Sequence, residues 1–252
     1  MKAVFKTDPG RVRLHNEDHG GIFVNGENNR LAIVADGMGG HRAGDVASNM
    51  TINFLQKAWE ESENIQTADQ AEEWLKLKIN EVNSELFQHA ISHSECEGMG
   101  TTIIAAICTN HFVTLAHIGD SRCYLLNESG YKQLTEDHSL VNELVRSGQI
   151  SKEDAENHPR KNVILRALGT EKTVEMDIIT VIFEEGDILL LCSDGLSNKV
   201  SEKEMLDILS KKEEHEMRAE SLIQLANHYG GEDNITLVIV EHSIGEEVDE
   251  LL

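Results

Sequence analysis

Four aspartates stand where apolar runs end or begin. Asp36 follows Leu31-Ala32-Ile33-Val34-Ala35, Asp120 follows 112–118, Asp194 follows 188–192, and Asp233 precedes 235–240. Glu17 and Asp18 lie in a polar segment near the start. Each run is short, continuous and bounded by turn residues, which is the pattern of a buried strand. A single strand-end acid is most often an ordinary turn residue. Several beside glycine, as in Asp36-Gly37, Gly119-Asp120 and Asp194-Gly195, weaken that reading. If the sheets pack together, the acids gather at one end of a sandwich, where carboxylates in a partly buried site repel one another. Few bases stand nearby in sequence, Arg122 beside Asp120 and Lys199 beside Asp194. Divalent cations would resolve the repulsion, and oxygen-only ligands select Mg²⁺ or Mn²⁺ over Zn²⁺. Two such ions sharing a water lower its pKa and make a nucleophile near neutral pH.

Two other patterns carry less. Asp36-Gly37-Met38-Gly39-Gly40-His41 lies between a strand and a helical pattern, as a dinucleotide loop would. Arg42 stands where the third glycine of G-x-G-x-x-G belongs, and Asp36 would repel a pyrophosphate. His89 and His93 have the i, i+4 spacing of zinc ligands, but no Glu follows His89 as H-E-x-x-H requires, so they read as solvated helix residues.

The elements that must position the acids follow from periodicity. Strands are expected at 2–7, 21–24, 31–35, 101–108, 112–118, 122–126, 131–134, 174–183, 188–192 and 235–240. The four runs between 101 and 134 read as an antiparallel meander. Val46, Met50, Phe54 and Ala58 mark one amphipathic helix. Thr67-Ala68-Asp69-Gln70 is a capping box opening a long second helix with Ala71, Trp74, Leu75, Ile79, Val82, Leu86 and Ala90 on one face. A second box, Ser201-Glu202-Lys203-Glu204, opens a helix with Met205, Ile208 and Leu209, and Met217, Leu222, Ile223 and Ala226 mark the next. Strands outnumber helices, and the helices come in two pairs. The layered solution is an α+β fold, a four-layer α/β/β/α sandwich whose antiparallel β-sandwich is flanked by helix pairs. Residues 139–168 read as an excursion from the sheet. Residues 1–245 are expected to form one domain, followed by an acidic tail at 246–252.

The chain has 252 residues, 45 acids, 22 bases and a formal charge of -23, a surface that repels nucleic acid and anionic membranes. Asp8 comes too early for the apolar part of a signal peptide, and no apolar run is long enough to span a membrane. Cys96, Cys108, Cys123 and Cys192 lack C-x-x-C spacing, and three of them lie in or beside apolar runs, so they read as core residues of a reducing, cytoplasmic compartment.

The motifs taken together resemble the type 2C family of metal-dependent protein phosphatases in its compact bacterial form. The matching residues are Arg13 with Asn16-Glu17-Asp18; Val34 through His41; Gly100-Thr101-Thr102; Ile118 through Tyr124; Leu134-Thr135-Glu136-Asp137-His138-Ser139; Ser193-Asp194-Gly195-Leu196; and Gly231 through Thr236. They run nearly end to end, and jointly they are specific. The resemblance implies the same sandwich and hydrolysis of phosphoserine and phosphothreonine by a metal-bound water. It implies that Asp36 bridges two Mn²⁺ or Mg²⁺ ions, with the Gly37 carbonyl on one. Asp194 and Asp233 complete a shell, and Glu17 acts through water. Asp120 and Asp194 would hold a third, weaker ion, Arg13 would clamp the substrate phosphate, and 139–168 would be the mobile flap. Some members carry a histidine directly after the D-G pair as proposed general acid; that place is Met38 here, and His41 is the candidate substitute. The implied partners are phosphoproteins, including a bacterial Ser/Thr kinase, met by a monomer. Two alternatives remain open, a non-catalytic regulator on the same fold and a hydrolase of small phosphoesters. A lost metal aspartate would favour the first, and none is lost.

Overall fold

Strands that read as continuously apolar are so because both of their faces are covered. In the computed structural model, which describes residues 1–243 apart from His41, Glu63, Asn64 and the side chain of Glu156, β5 (Ile103–Cys108) is buried throughout. Its Ile103, Ala105 and Ile107 face one helix layer, while Ile104, Ala106 and Cys108 face the opposite sheet. The same alternation divides β10 (Ile188–Cys192) and β11 (Ile235–Glu241). Successive side chains point to opposite faces of a strand, so one apolar run serves two cores. The acidic tail expected at 246–252 lies outside the described residues.

One sheet has the order β1 (Lys2–Asp8), β11, β10, β7 (Arg122–Asn127), β8 (Gly130–Gln133). The other runs β2 (Asp18–Val24), β3 (Arg30–Met38), β5, β6 (Phe112–Ile118), β9 (Asp177–Ile182), with β4 (Gly100–Thr101) also on β3. Every pairing is antiparallel. Helices α1 (Ala43–Glu60) and α2 (Ala68–Ser92) cover the second sheet; α6 (Glu202–Leu209) and α7 (His215–His228) cover the first. The expected four-layer sandwich is present. Both capping boxes form, at Thr67 and at Ser201.

Five local expectations are corrected. β3 does not stop at Ala35 but runs through Asp36 and Gly37, because β4 pairs with its end, Gly37 opposite Thr101. The meander is split. After β6 the chain crosses at 119–121 to the other sheet, on a Gly119 with φ 112°, and β7 pairs with β10 instead. β9 begins at Asp177 rather than Val174, where its ladder with β6 ends opposite His117. In α1 the fully buried face is Ala47, Thr51, Leu55 and Trp59; Val46, Met50 and Phe54 are half-buried on its flank. Met217 is exposed, whereas Leu222, Ile223 and Ala226 of α7 are buried.

Residues 139–168 carry two short helices, α3 (Leu140–Arg146) and α4 (Lys152–Glu156). No residue of α3 is buried. The segment is closed at its base by bridges between Ser139 and Ile164 and between Thr101 and Leu168.

The start of α1 lies directly on the end of β3. A Cβ at Gly37 would stand 2.2 Å from the Gly44 carbonyl oxygen, and one at Gly44 would stand 2.7 Å from the Gly37 carbonyl carbon. Both contacts are backbone and cannot swing away. Gly37→Ala is therefore expected to destabilise the fold by about 2–4 kcal/mol. Gly26→Ala, with nothing within 4 Å of the added carbon, should leave the melting temperature within about a degree or two. Thermal denaturation of the two variants beside the parent checks this.

Candidate active site

Register brings the first two acids together. Asp18 on β2 is paired directly with Asp36 on β3. By strand alternation Asp36 continues the inward row of Ala32 and Val34, and Asp18 that of Ile22, so both carboxylates sit at the end of the inter-sheet core. The opposite sheet supplies Asp194, the first residue of the one-turn helix α5 (Asp194–Ser197), and Asp233, just before β11. Ser193 Oγ donates to Asp18 Oδ2 at 2.7 Å and accepts from Thr236 N at 3.0 Å, joining the sheets at this point. Asp120 arrives on the crossing after β6. Thr102 Oγ1 accepts from Asp36 N at 3.0 Å and bonds Ser121 Oγ at 2.8 Å, tying the end of β3 to that crossing.

Arg13 and Glu17 come from the loop between β1 and β2, and Asn234 holds that loop. Its Nδ2 donates to the carbonyls of Pro9 at 3.0 Å and His15 at 2.9 Å, and its Oδ1 accepts from Glu17 N at 2.8 Å. Gly10, with φ 78°, lets the loop lie against Asp233, whose carbonyl oxygen would be 2.3 Å from an added Cβ. Arg13 Nη2 then reaches Asp233 Oδ2 at 2.9 Å while its side chain stays half exposed. The expected phosphate clamp thus stands beside the acids, paired to one of them.

The carboxylates are electrostatically strained. Burial, followed by the charges of Asp18, Asp194, Asp120 and Asp233, pushes Asp36 well above the carboxylate range. Burial likewise raises Asp18 and Asp120 to about 7 and Asp194 to about 6, with neighbouring aspartates adding to each. Glu17 is raised too, by burial first. The two bases near in sequence form their ion pairs elsewhere. Arg122 is spent on Asp137, with Nε to Oδ1 at 2.9 Å and Nη2 to Oδ2 at 2.7 Å. Lys199 is paired with Glu232. An Asp120–Arg122 pair, the structural alternative for Asp120, does not form, and Asp120 Oδ1 is buried with no hydrogen-bond partner.

A donor set of buried, mutually repelling carboxylates with one orphaned oxygen fits hard divalent cations. Among the described residues the one group of three ligand-type atoms within 4.8 Å of one another is instead His117, His138 and Asp177. No three of the acid oxygens lie that close to one another among the described residues. The histidine group is not a metal cage. His138 Nδ1 accepts from Gly119 N at 3.1 Å, so its proton sits on Nε2, facing Asp177 Oδ2 at 3.2 Å. Arg166 also pairs with Asp177 at 3.2 Å. The group locks the base of the 139–168 segment. His89 and His93 stack on one another at 4.0 Å on an exposed surface, and His41 lies outside the described residues.

The protein phosphatase 2C model matches residues 10–230. The chain belongs to the protein phosphatase 2C family. It is 55% identical to the serine/threonine phosphatase stp of Listeria welshimeri, over 97% of each chain. Its fold matches serine/threonine phosphatase Stp1 from Staphylococcus aureus with a TM-score of 0.91 and 40% identity, over 95% of this chain and 94% of that one. It also matches the catalytic domain of the serine threonine protein phosphatase PstP in complex with two manganese ions, with a TM-score of 0.83 and 35% identity, over 95% of this chain and 97% of that one.

Sequence reasoning places Asp18 in a polar segment near the start and assigns it no role, although this phosphatase 2C chain buries it deepest of the cluster, at 3% exposed. Its position opposite Asp36 was the available signal, legible once the two strands were registered. The bracing roles of Asn234, Ser193 and Thr102 had no signal beyond their place in the motifs.

Raised carboxylate pKa values mean that the folded state holds protons more tightly than the unfolded state. The metal-free fold should therefore lose stability as pH rises from about 4 through about 7. Asp120→Asn removes one buried charge and is expected to raise the melting temperature in EDTA at pH 7.5 by about 2–4 °C. The same variant should gain less stability than the parent on adding Mn²⁺. Differential scanning calorimetry with and without metal reads both effects, and a lower metal-free melting temperature for Asp120→Asn would contradict the repulsion.

Proposed function

We propose that the converged acids hold two Mn²⁺ or Mg²⁺ ions and that the pair serves hydrolysis of phosphoserine and phosphothreonine in proteins. The chain is a protein serine/threonine phosphatase. The observation that carries the two-ion reading is the convergence, from both sheets, of carboxylates whose one ion pair among the described residues is the contact from Arg13. The relative solved with two manganese ions supports it.

In this reading Asp36, the Gly37 carbonyl, Asp194 and Asp233 would hold the ions, and Glu17 would act on one of them through water. Asp120 with Asp194 forms a third, weaker position. When bound, the ions supply Lewis acidity that makes water nucleophilic near neutral pH. The chain's own residues do the rest. Arg13, planar and bidentate, grips two phosphate oxygens in a site otherwise acidic. Asn234 fixes the loop that carries Arg13 and Glu17, so both approach the phosphate from one side. Asp18, hydrogen-bonded by Ser193, backs Asp36 and sets its orientation. His41 is the candidate proton donor to the leaving oxygen.

Residues 1–245 work as one catalytic domain with an acidic tail, as a monomer. Its substrates include the products of a Ser/Thr kinase and the kinase itself. Among the described residues no helix is long and apolar enough to cross a membrane, and the four free, buried cysteines suit a reducing cytoplasm.

Asp36→Asn should lower turnover on a phosphothreonine peptide by about 10²-fold or more at modest Mn²⁺ while the protein stays folded. Arg13→Ala should raise KM by about tenfold and leave Mn²⁺ affinity unchanged or slightly tighter, because Asp233 is released from its pair. Steady-state kinetics beside calorimetric Mn²⁺ titration measures both. Near-parental turnover of Asp36→Asn, or a large loss of Mn²⁺ affinity in Arg13→Ala, would overturn these roles.

A further inference from the structure

A cavity of about 580 Å³ opens from the acid cluster and runs beneath the 139–168 segment. Asp120 and Asp194 lie in its lining at the cluster end, and 197–201 form the far wall. Four cations line it: Arg122, Lys152, Lys161 and Lys199. Two are already committed, Arg122 to Asp137 and Lys199 to Glu232. Lys152 and Lys161, both on the 139–168 segment, form no ion pair among the described residues. On a chain with 45 acids and 22 bases, two lysines lining one concave wall, with no ion pair among the described residues, run against the bulk of the surface. Val141 and Val145, i and i+4 on α3, line the same cavity, and α3 buries none of its residues elsewhere. The wall beside the reaction centre therefore offers a short apolar stripe and two ammonium groups.

We propose that this cavity seats the residues flanking the phosphorylated side chain of a protein substrate, and that Lys152 and Lys161 select an anionic group there. The inference rests on the phosphatase reading and deepens it. The phosphate reaches the acid cluster and Arg13, and the polypeptide on one side of it passes under the segment along Val141 and Val145. A flexible ammonium pairs with a carboxylate or a second phosphate without demanding one geometry. The anion is thus either an Asp or Glu side chain or a neighbouring phosphoresidue. Each exposed pair contributes modestly, so selectivity from both lysines together is expected at about threefold to tenfold.

The test uses the whole chain with Mn²⁺ and four phosphothreonine peptides, identical except for neutral, glutamate, phosphoserine or lysine flanks. The readout is the ratio of kcat/KM for each charged peptide to that for the neutral one. The parent should favour an anionic flank by about threefold to tenfold, and the ratio should fall towards one in Lys152→Ala/Lys161→Ala. Lys161→Glu should turn the preference towards the lysine-flanked peptide, a gain that misfolding cannot mimic. Preference for glutamate supports the proposal with a carboxylate as the anion; preference confined to phosphoserine supports it with phosphate. A parental ratio of one, or a ratio that survives both lysine replacements, overturns it. Absence of Mn²⁺-dependent hydrolysis of every peptide overturns the phosphatase reading and this inference with it, whereas hydrolysis with a flat ratio overturns this inference alone.

Discussion

Like charges forced to share one end of a sandwich are the constraint that the rest of the structure answers. Asp18 and Asp36 face each other across one pair of strands, Asp194 and Asp233 come from the other sheet, and Asp120 comes from the crossing between sheets. Left to themselves these acids favour separation or protonation, and burial makes both tendencies stronger. The fold holds them because all but Asp18 are on, or next to, a strand with two buried faces, and Asp18 is held by Ser193. Moving any acid outward would pull apolar side chains out of the core.

Hydrogen bonds that cost the acids nothing in charge set the finer positions. Ser193 bonds Asp18 and Thr236 across the two sheets, and Thr102 joins the backbone of Asp36 to Ser121. Asn234 uses all three of its bonds on the loop carrying Arg13 and Glu17. Neutral braces suit this place, because another carboxylate would add repulsion and a fixed cation would occupy the acids. Arg13 escapes that difficulty by being half exposed and held at its backbone by a loop. The Gly37–Gly44 contact brings the helix layer against β3 where Asp36 sits, so the strand end is clamped from outside as well as from within.

Much of this was legible in the sequence, and for identifiable reasons. The apolar runs at 188–192 and 235–240 match β10 and β11 almost residue for residue, since doubly buried strands admit little but aliphatic side chains. The Thr67 and Ser201 boxes form because their signal is local. What failed was non-local. A strand continuing through Asp36-Gly37-Met38 depends on β4, sixty residues further along in round numbers. The split meander depends on which sheet captures β7, and four well-spaced runs look alike whichever sheet they join. The α1 face was misread because small residues, Ala47 and Thr51, occupy the closest approach to the sheet while larger ones sit beside it. Of the candidate site, the acids and Arg13 were readable as a set, but the pairing of Arg122 with Asp137 was not. Adjacency to Asp120 suggested a different partner.

β11 has a further consequence. It lies between β1 and β10, in the interior of its sheet, although it is the last in chain order of the described strands. A ribosome releasing this chain exposes β1 early, and β1 then has no neighbour until more than two hundred residues have followed. Asp233 and Asn234 arrive with the same late segment. The nascent protein therefore cannot assemble a reaction centre part-way through synthesis, and β1 waits as an unpaired edge while β2, β3, β5 and β6 can already pair with one another. Folding of this sheet depends on late, long-range closure.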